Sequence, residues 1–233
     1  MRTIEQISTI KKTMGDPKQL CNMLNAHDIN LLLNHYITSN AVITKNTGPK
    51  VLMVNEGEGI IDNILITLRV LYGNFALRSA HYFDVTKPHI IHNDDGFDYP
   101  QCYKAFLIPL YVEEGDCDKA KFFVFDQSYY GGPSKFLNDE DITSTPIYYN
   151  KLVTNYNDVE DKVAYPIDDD IYSQYLTHLR PKWLEGLSIN SYFPWTIGSV
   201  IAFDSLKLHC ASDFRKVGIT RKIGLSIFTK IKL

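Results

Sequence analysis

The sequence has few of the features that would tie it to a specialised environment. It has only four cysteines, Cys21, Cys102, Cys117 and Cys210, far apart and without a C-x-x-C pair. That spacing argues against both a zinc knuckle and a disulfide scaffold. Neither sign of charge dominates: 24 basic residues against 27 acidic ones leave a formal net charge of −3. Charge therefore gives no reason to expect nucleic-acid or anionic-membrane binding. No run approaches the roughly 18 apolar residues of a membrane span. The opening "MRTIEQISTIKKTMGDPKQL" lacks the unbroken apolar stretch of a signal peptide. Internal repeats and low-complexity tracts are missing too. A reduced, soluble, cytoplasmic protein is expected.

What is present is ordinary globular composition, 45% hydrophobic and 22% charged over 233 residues, enough for one well-buried domain spanning 1–233. The first 79 residues read as mostly helical support. In "DPKQLCNMLNAHDINLLLNHYI", Asp16 is a candidate N-cap with Pro17 at the first helical position. "GIIDNILITLRVLYG" has helical periodicity and stops at Gly73. From about residue 80 the texture turns to short runs rich in aromatic and β-branched residues: "SAHYFDV", "YKAFLIPLYV", "AKFFVFDQ", "SVIAFDS" and "RKIGLSIFTKI". A polar, acidic stretch at about 137–190, with a helix in "DDDIYSQYLTHLRPKWLEGL", reads as an insertion long enough to form a lid. The predicted fold class is mainly β with N-terminal helices, built on a double-stranded β-helix (jelly-roll) core at 80–233.

The segment "HIIHNDDGFD" at 89–98 carries the chemistry. His92 and Asp94 are two apart, the spacing that puts both side chains on one side of an extended backbone. A polar turn capped by Asp94 would explain the same residues. Among the other histidines, His27 and His35 fall in the first helix, where a polar-face or capping role suffices. His178 lies in the insertion and is expected to be exposed, and His81 is on the strand before the turn. His209 follows the strand "GSVIAFDS" in what reads as a short connection, "LKLHCASDF". A buried histidine beside Cys210 would be its ordinary reading. Arg221 comes twelve residues later, on the last strand, and could be no more than a surface cation among Arg215, Lys216, Lys222 and Lys230.

Taken together and in order, H-x-D at a strand end, a distal His and an Arg on the last strand resemble the iron(II)- and 2-oxoglutarate-dependent dioxygenase superfamily. The likeness is to its prolyl-hydroxylase-like and phytanoyl-hydroxylase-like members. The segment "WTIGSVIAFDSLKLHCAS" is similar to that superfamily's approach to the distal His. The resemblance implies that His92, Asp94 and His209 ligate Fe(II) and that Arg221 holds the tail of 2-oxoglutarate. Tyr82 resembles a strand tyrosine that some members add to the cosubstrate site. Many members carry Arg-x-Ser, whereas Ile223 stands at that Ser position here. Two imidazoles and one carboxylate on one face of an octahedral ion leave open positions for 2-oxoglutarate and O2. The resemblance further implies oxidative decarboxylation to succinate and hydroxylation of an unactivated C–H bond. Members of that superfamily that halogenate lack this carboxylate, so the resemblance implies that Asp94 favours hydroxylation, or an outcome that follows from it. In "ITRKIGLSIF", alternation puts Arg221, Ile223 and Leu225 on one face, expected to point into the barrel, and Lys222 on the other.

A cupin-like metal-binding jelly roll with isomerase or lyase chemistry, or a non-enzymatic binding protein, would share part of this pattern. Neither needs Arg221. The substrate is expected to be a small molecule, an amino-acid derivative or a peptide; no basic, aromatic-rich groove suggests nucleic acid.

Overall fold

The structure, a computed structural model, describes residues 5, 8, 11–40, 50–55, 57, 59–94, 102–130 and 165–232. The "DGFD" end of "HIIHNDDGFD" and residues 137–164 of the expected 137–190 insertion lie outside the described residues.

The first departure from the sequence reading comes at Asp16 and Pro17. No helix starts there; Lys18–Leu20 form an edge strand, β1. A Pro is tolerated just ahead of an edge strand as readily as at a helix start. Helix α1 (Ala26–Asn40) begins nine residues later than the Pro17-led start would place it. Its N-terminus is set by Asn25, whose Oδ1 accepts from the Asp28 N–H (3.0 Å) while Asp28 Oδ2 accepts from the Asn25 N–H (3.3 Å). This is a reciprocal cap. Strand β2 (Lys50–Val54) precedes helix α2 (Asp62–Tyr72). Helix α2 ends at Gly73, whose φ of 83° suits glycine and whose N–H bonds the Arg69 carbonyl.

The strands follow the aromatic and β-branched runs: β3 (Phe75–Val85), β4 (Cys102–Glu113) and β5 (Lys121–Ser128), then β6 (Ile189–Pro194), β7 (Val200–Asp204), β8 (Lys207–Ala211) and β9 (Arg221–Ile231). They form two antiparallel sheets, ordered β1-β7-β4-β9-β3-β2 and β6-β5-β8. With the helices on the outside of the larger sheet, this is the mainly β jelly-roll class expected from the sequence.

Three apolar clusters define the layers. Leu32, Tyr36, Leu65 and Leu68 of the helices pack on Tyr82, Ile108, Ile223, Leu225 and Ile227, the outer face of the large sheet. Leu107, Phe122, Val124, Trp195, Phe203, Phe214 and Phe228 fill much of the space between the sheets. Outside the small sheet, Leu208 and Cys210 meet Leu176, Leu179 and Trp183 from a short helical stretch. That stretch is α3 (Asp169–Ile171), a π-helical turn (Tyr172–Leu176) and α4 (Pro181–Leu184).

Strands β3 and β9 are adjacent, with Tyr82 opposite Leu225 and Val85 opposite Lys222. Their outer faces are sealed by the helices: Ala80, Tyr82 and Leu225 are fully buried. Their inner faces are only partly covered, since His81, Phe83, Val85 and Ser226 all retain some exposure. The inter-sheet space is therefore a cleft along β3 and β9 and not a filled core.

Candidate metal centre

Chain geometry brings the two distant histidines together. His92 and His209 form an antiparallel bridge, each N–H donating to the other's carbonyl (3.0 and 2.9 Å). His209 lies on strand β8, paired with Val124 of β5, and not in an irregular connection as the sequence suggested. Asp94 is fixed by its N–H donating to the Ser205 carbonyl (2.8 Å) and by Arg78 Nη2 donating to its own carbonyl (2.9 Å).

The ligand atoms of His92, Asp94 and His209 all lie within 4.8 Å of one another. His92 Nε2 is 3.7 Å from Asp94 Oδ1, and His209 Nε2 is 3.3 Å from Oδ2. Each ring's Nδ1 faces a backbone carbonyl, Ile90 for His92 (2.8 Å) and Lys207 for His209 (2.9 Å). A carbonyl only accepts, so Nδ1 carries the proton and the Nε2 lone pairs converge on Asp94. Two nitrogens and one carboxylate oxygen, on one side, with separations near the ~3 Å expected of mutually perpendicular ligands at ~2.1 Å, fit a first-row divalent ion. Burial would raise the Asp94 pKa, but His209, His92 and Arg78 outweigh it and hold the carboxyl below its usual range. His209 is 2% exposed, its ring against Phe203 and Phe122.

Arg221 and Tyr82 are not part of this group. The Arg221 guanidinium makes a two-point pair with Asp84 (Nε–Oδ1 2.8 Å, Nη2–Oδ2 2.7 Å), and Tyr36 of α1 donates to Asp84 Oδ2 (2.6 Å). Tyr82 is fully buried in the helix-side cluster, its hydroxyl 3.2 Å from His35 Nδ1. Both residues face the helices, which corrects the expected inward direction of Arg221 by one residue.

Lys222 points inward instead. It is 1% exposed, with Nζ 3.8 Å from the Trp195 ring centroid and 4.5 Å from that of Phe214. No acceptor or acid pairs with Nζ among the described residues. Burial lowers its pKa to about 7, although the two ring faces favour the cation and oppose that shift. Trp195 Nε1 is also buried without a hydrogen-bond partner. Two enclosed donors without acceptors make a place for an anion. Two residues after this lysine stands Gly224, where a Cβ would come within 2.4 Å of the Phe83 ring. The signal for Lys222 was a basic residue one position from the one singled out.

His178 is not exposed as expected. Both ring nitrogens are enclosed, and burial lowers its pKa to about 4.

No protein-family model matches the sequence, and no curated protein matches it. Solved structures do match in shape. The epimerase SnoN, in complex with Fe3+, alpha ketoglutarate and nogalamycin RO, aligns with a TM-score of 0.55 at 10% identity, over 97% of this chain and 82% of that one. HygX from Streptomyces hygroscopicus, with nickel and 2-oxoglutarate bound, aligns at 0.51 and 11% identity, over 100% and 88%. A Pseudomonas putida prolyl-4-hydroxylase aligns at 0.52 and 10% identity, over 98% and 100%. At these identities the likeness is one of fold, and the fold of this chain is the one shared by these three proteins.

Proposed function

We propose that the chain is a non-haem Fe(II)- and 2-oxoglutarate-dependent oxygenase. The reaction would be hydroxylation of an unactivated C–H bond in a small molecule, amino-acid derivative or peptide. The observation that carries the reading is the convergence of His92, Asp94 and His209 beside the inter-sheet aromatic cluster that also encloses Lys222, a lysine with no acceptor among the described residues. Support comes from the structural neighbours, among them proteins with iron or nickel and 2-oxoglutarate bound. A jelly-roll lyase or binding protein would have no use for the enclosed Lys222 cation.

In this reading His92, Asp94 and His209 hold the ion, which supplies O2-dependent oxidation coupled to decarboxylation of 2-oxoglutarate when bound. Lys222 replaces Arg221 as the partner of the cosubstrate's distal carboxylate, with Trp195 Nε1 as a second donor. The bridge between His92 and His209 fixes the ligand spacing before any ion binds, which lowers the cost of ordering the site. Phe122, Phe203 and Phe214 keep water from the inner end, so that the Lys222–carboxylate pair forms in a low-dielectric setting.

The test is succinate release from 2-oxoglutarate with added Fe(II), without a prime substrate. Slow iron-dependent release is expected from the wild type and none from a folded Asp94→Ala variant. Full release from Asp94→Ala would remove Asp94 from the ligand set and overturn the reading.

A further inference from the structure

Two polar side chains beside the metal group are left over once the ion and the cosubstrate have been given their partners. Arg78 sits at an irregularity of β3, where the register against β9 shifts between Leu77 and Ser79. Such bulges re-aim a side chain and concentrate near functional sites. The Arg78 guanidinium lies 5.0 Å from the Phe228 ring centroid, donates through Nη1 to Cys102 Sγ (3.3 Å) and through Nη2 to the Asp94 carbonyl (2.9 Å). Those contacts use two of its five N–H groups. No carboxylate pairs with it among the described residues. His81, three residues on, packs against the same Phe228 ring (5.1 Å) from the cleft side of β3 and makes no hydrogen bond among the described residues. Arg78 and His81 thus share the Phe228 ring, and Arg78 is hydrogen-bonded to the main chain of Asp94.

We propose that Arg78 and His81 form the recognition site for an anionic group of the prime substrate, a carboxylate or a phosphate, beside the metal. The inference rests on the functional reading above and names its substrate class. The charge of the filled site supports it. A divalent ion, Asp94, the 2-oxoglutarate dianion and a protonated Lys222 sum to zero, so among the described residues Arg78 leaves one positive charge uncompensated. A half-buried cation next to a neutral centre favours an anion strongly, because little water is present to compete. The guanidinium is held in place by three contacts before the ligand arrives, so little is lost in ordering it. The three remaining N–H groups suit oxygen acceptors, and the neighbouring imidazole supplies one further hydrogen bond.

The test uses the anaerobic Fe(II)·2-oxoglutarate protein and follows the weak visible absorption band of that complex. The probes are N-acetyl amino acids, their matched primary amides, and O-phosphoserine with serine as its neutral control. Acids or the phosphate ester are expected to shift the band at concentrations at least tenfold below their uncharged counterparts. In Arg78→Gln that preference is expected to fall to near unity, read only on protein that still forms the band. The carboxylate and phosphate arms separate the two sources of the anion. Equal shifts by charged and uncharged probes would overturn the proposal, as would no shift by any anion, or a preference that survives in Arg78→Gln. If Arg78→Gln does not fold, the wild-type comparison of acid with amide decides alone. Failure of Fe(II) and 2-oxoglutarate to give any band would instead overturn the oxygenase reading itself.

Discussion

Lys222 and Arg221, adjacent in sequence, have opposite situations and should behave oppositely when removed. Loss of one member of an enclosed ion pair costs roughly 2–5 kcal/mol, or about thirty-fold to several thousand-fold in affinity. Lys222→Ala is expected to weaken 2-oxoglutarate binding by that factor, measured calorimetrically on Mn(II)-loaded protein. Arg221→Ala should leave that affinity within about twofold but remove the guanidinium that pairs with Asp84 under helix α1. A cost of ~1–3 kcal/mol is expected there, after allowance for the 34% exposure of the Arg221 side chain, seen as a lower thermal midpoint. Lys222→Met should do the reverse in the ligand-free protein. Burial makes the Lys222 cation unfavourable and holds its pKa at about 7, below its ordinary 10.5. The unfolded chain therefore binds the extra proton between those values, and stability rises with pH across pH 7 to 10.5. A Met in the Trp195–Phe214 cage removes that penalty and should raise the midpoint at neutral pH while flattening its pH dependence. Equal pH profiles for wild type and Lys222→Met would show that folding does not lower the Lys222 pKa.

At the level of strands and helices, β9 shows why the His92–Asp94–His209 grouping was legible and the direction of the basic residues on β9 was not. His92 and Asp94 are two residues apart on one extended segment, so local geometry alone makes them neighbours, and order along the chain supplies His209. The direction of Arg221 depended on which face of "RKIGLSIF" is the barrel interior. Ile223, Leu225 and Ile227 are the more apolar face because α1 and α2 cover it. Facing the cleft are Lys222, Gly224 and Ser226, since that side borders accessible space. When both faces of a strand are covered, alternation gives the faces but not their assignment, and a one-residue error moves every side chain across. The same inversion displaced Tyr82, whose inward neighbours are His81 and Phe83. Strand β8 was missed because its five residues, "KLHCA", are too few to carry a readable alternation. The π-helical turn is a second case, since its burial of His178 depends on packing that the sequence alone does not show. Burial holds His178 neutral down to about pH 4. The unfolded chain gains a proton from about pH 6.5 downward and the folded one does not, so stability falls as pH drops from 6.5 to 4. His178→Gln should lose less stability over that window than the wild type, measured by urea unfolding at pH 4.5 and 7. Identical losses would show that the ring is open to water.

For the molecule as a whole, the proposed function requires one cleft between the two sheets to hold both an ion and a dicarboxylate. An ion bound only by the folded protein stabilises it by RT ln(1 + [L]/Kd), about 2.7 kcal/mol at a hundredfold excess over Kd. Mn(II) should therefore raise the thermal midpoint of the wild type but not of Asp94→Ala. The most direct measurement is the anaerobic absorption spectrum on adding Fe(II) and then 2-oxoglutarate. A weak visible band is expected in the wild type and in Arg221→Ala only when both components are present, and it should be lost in His209→Ala. No band in the wild type, or an undiminished one in His209→Ala, would contradict the claim that this cleft is an iron and 2-oxoglutarate site.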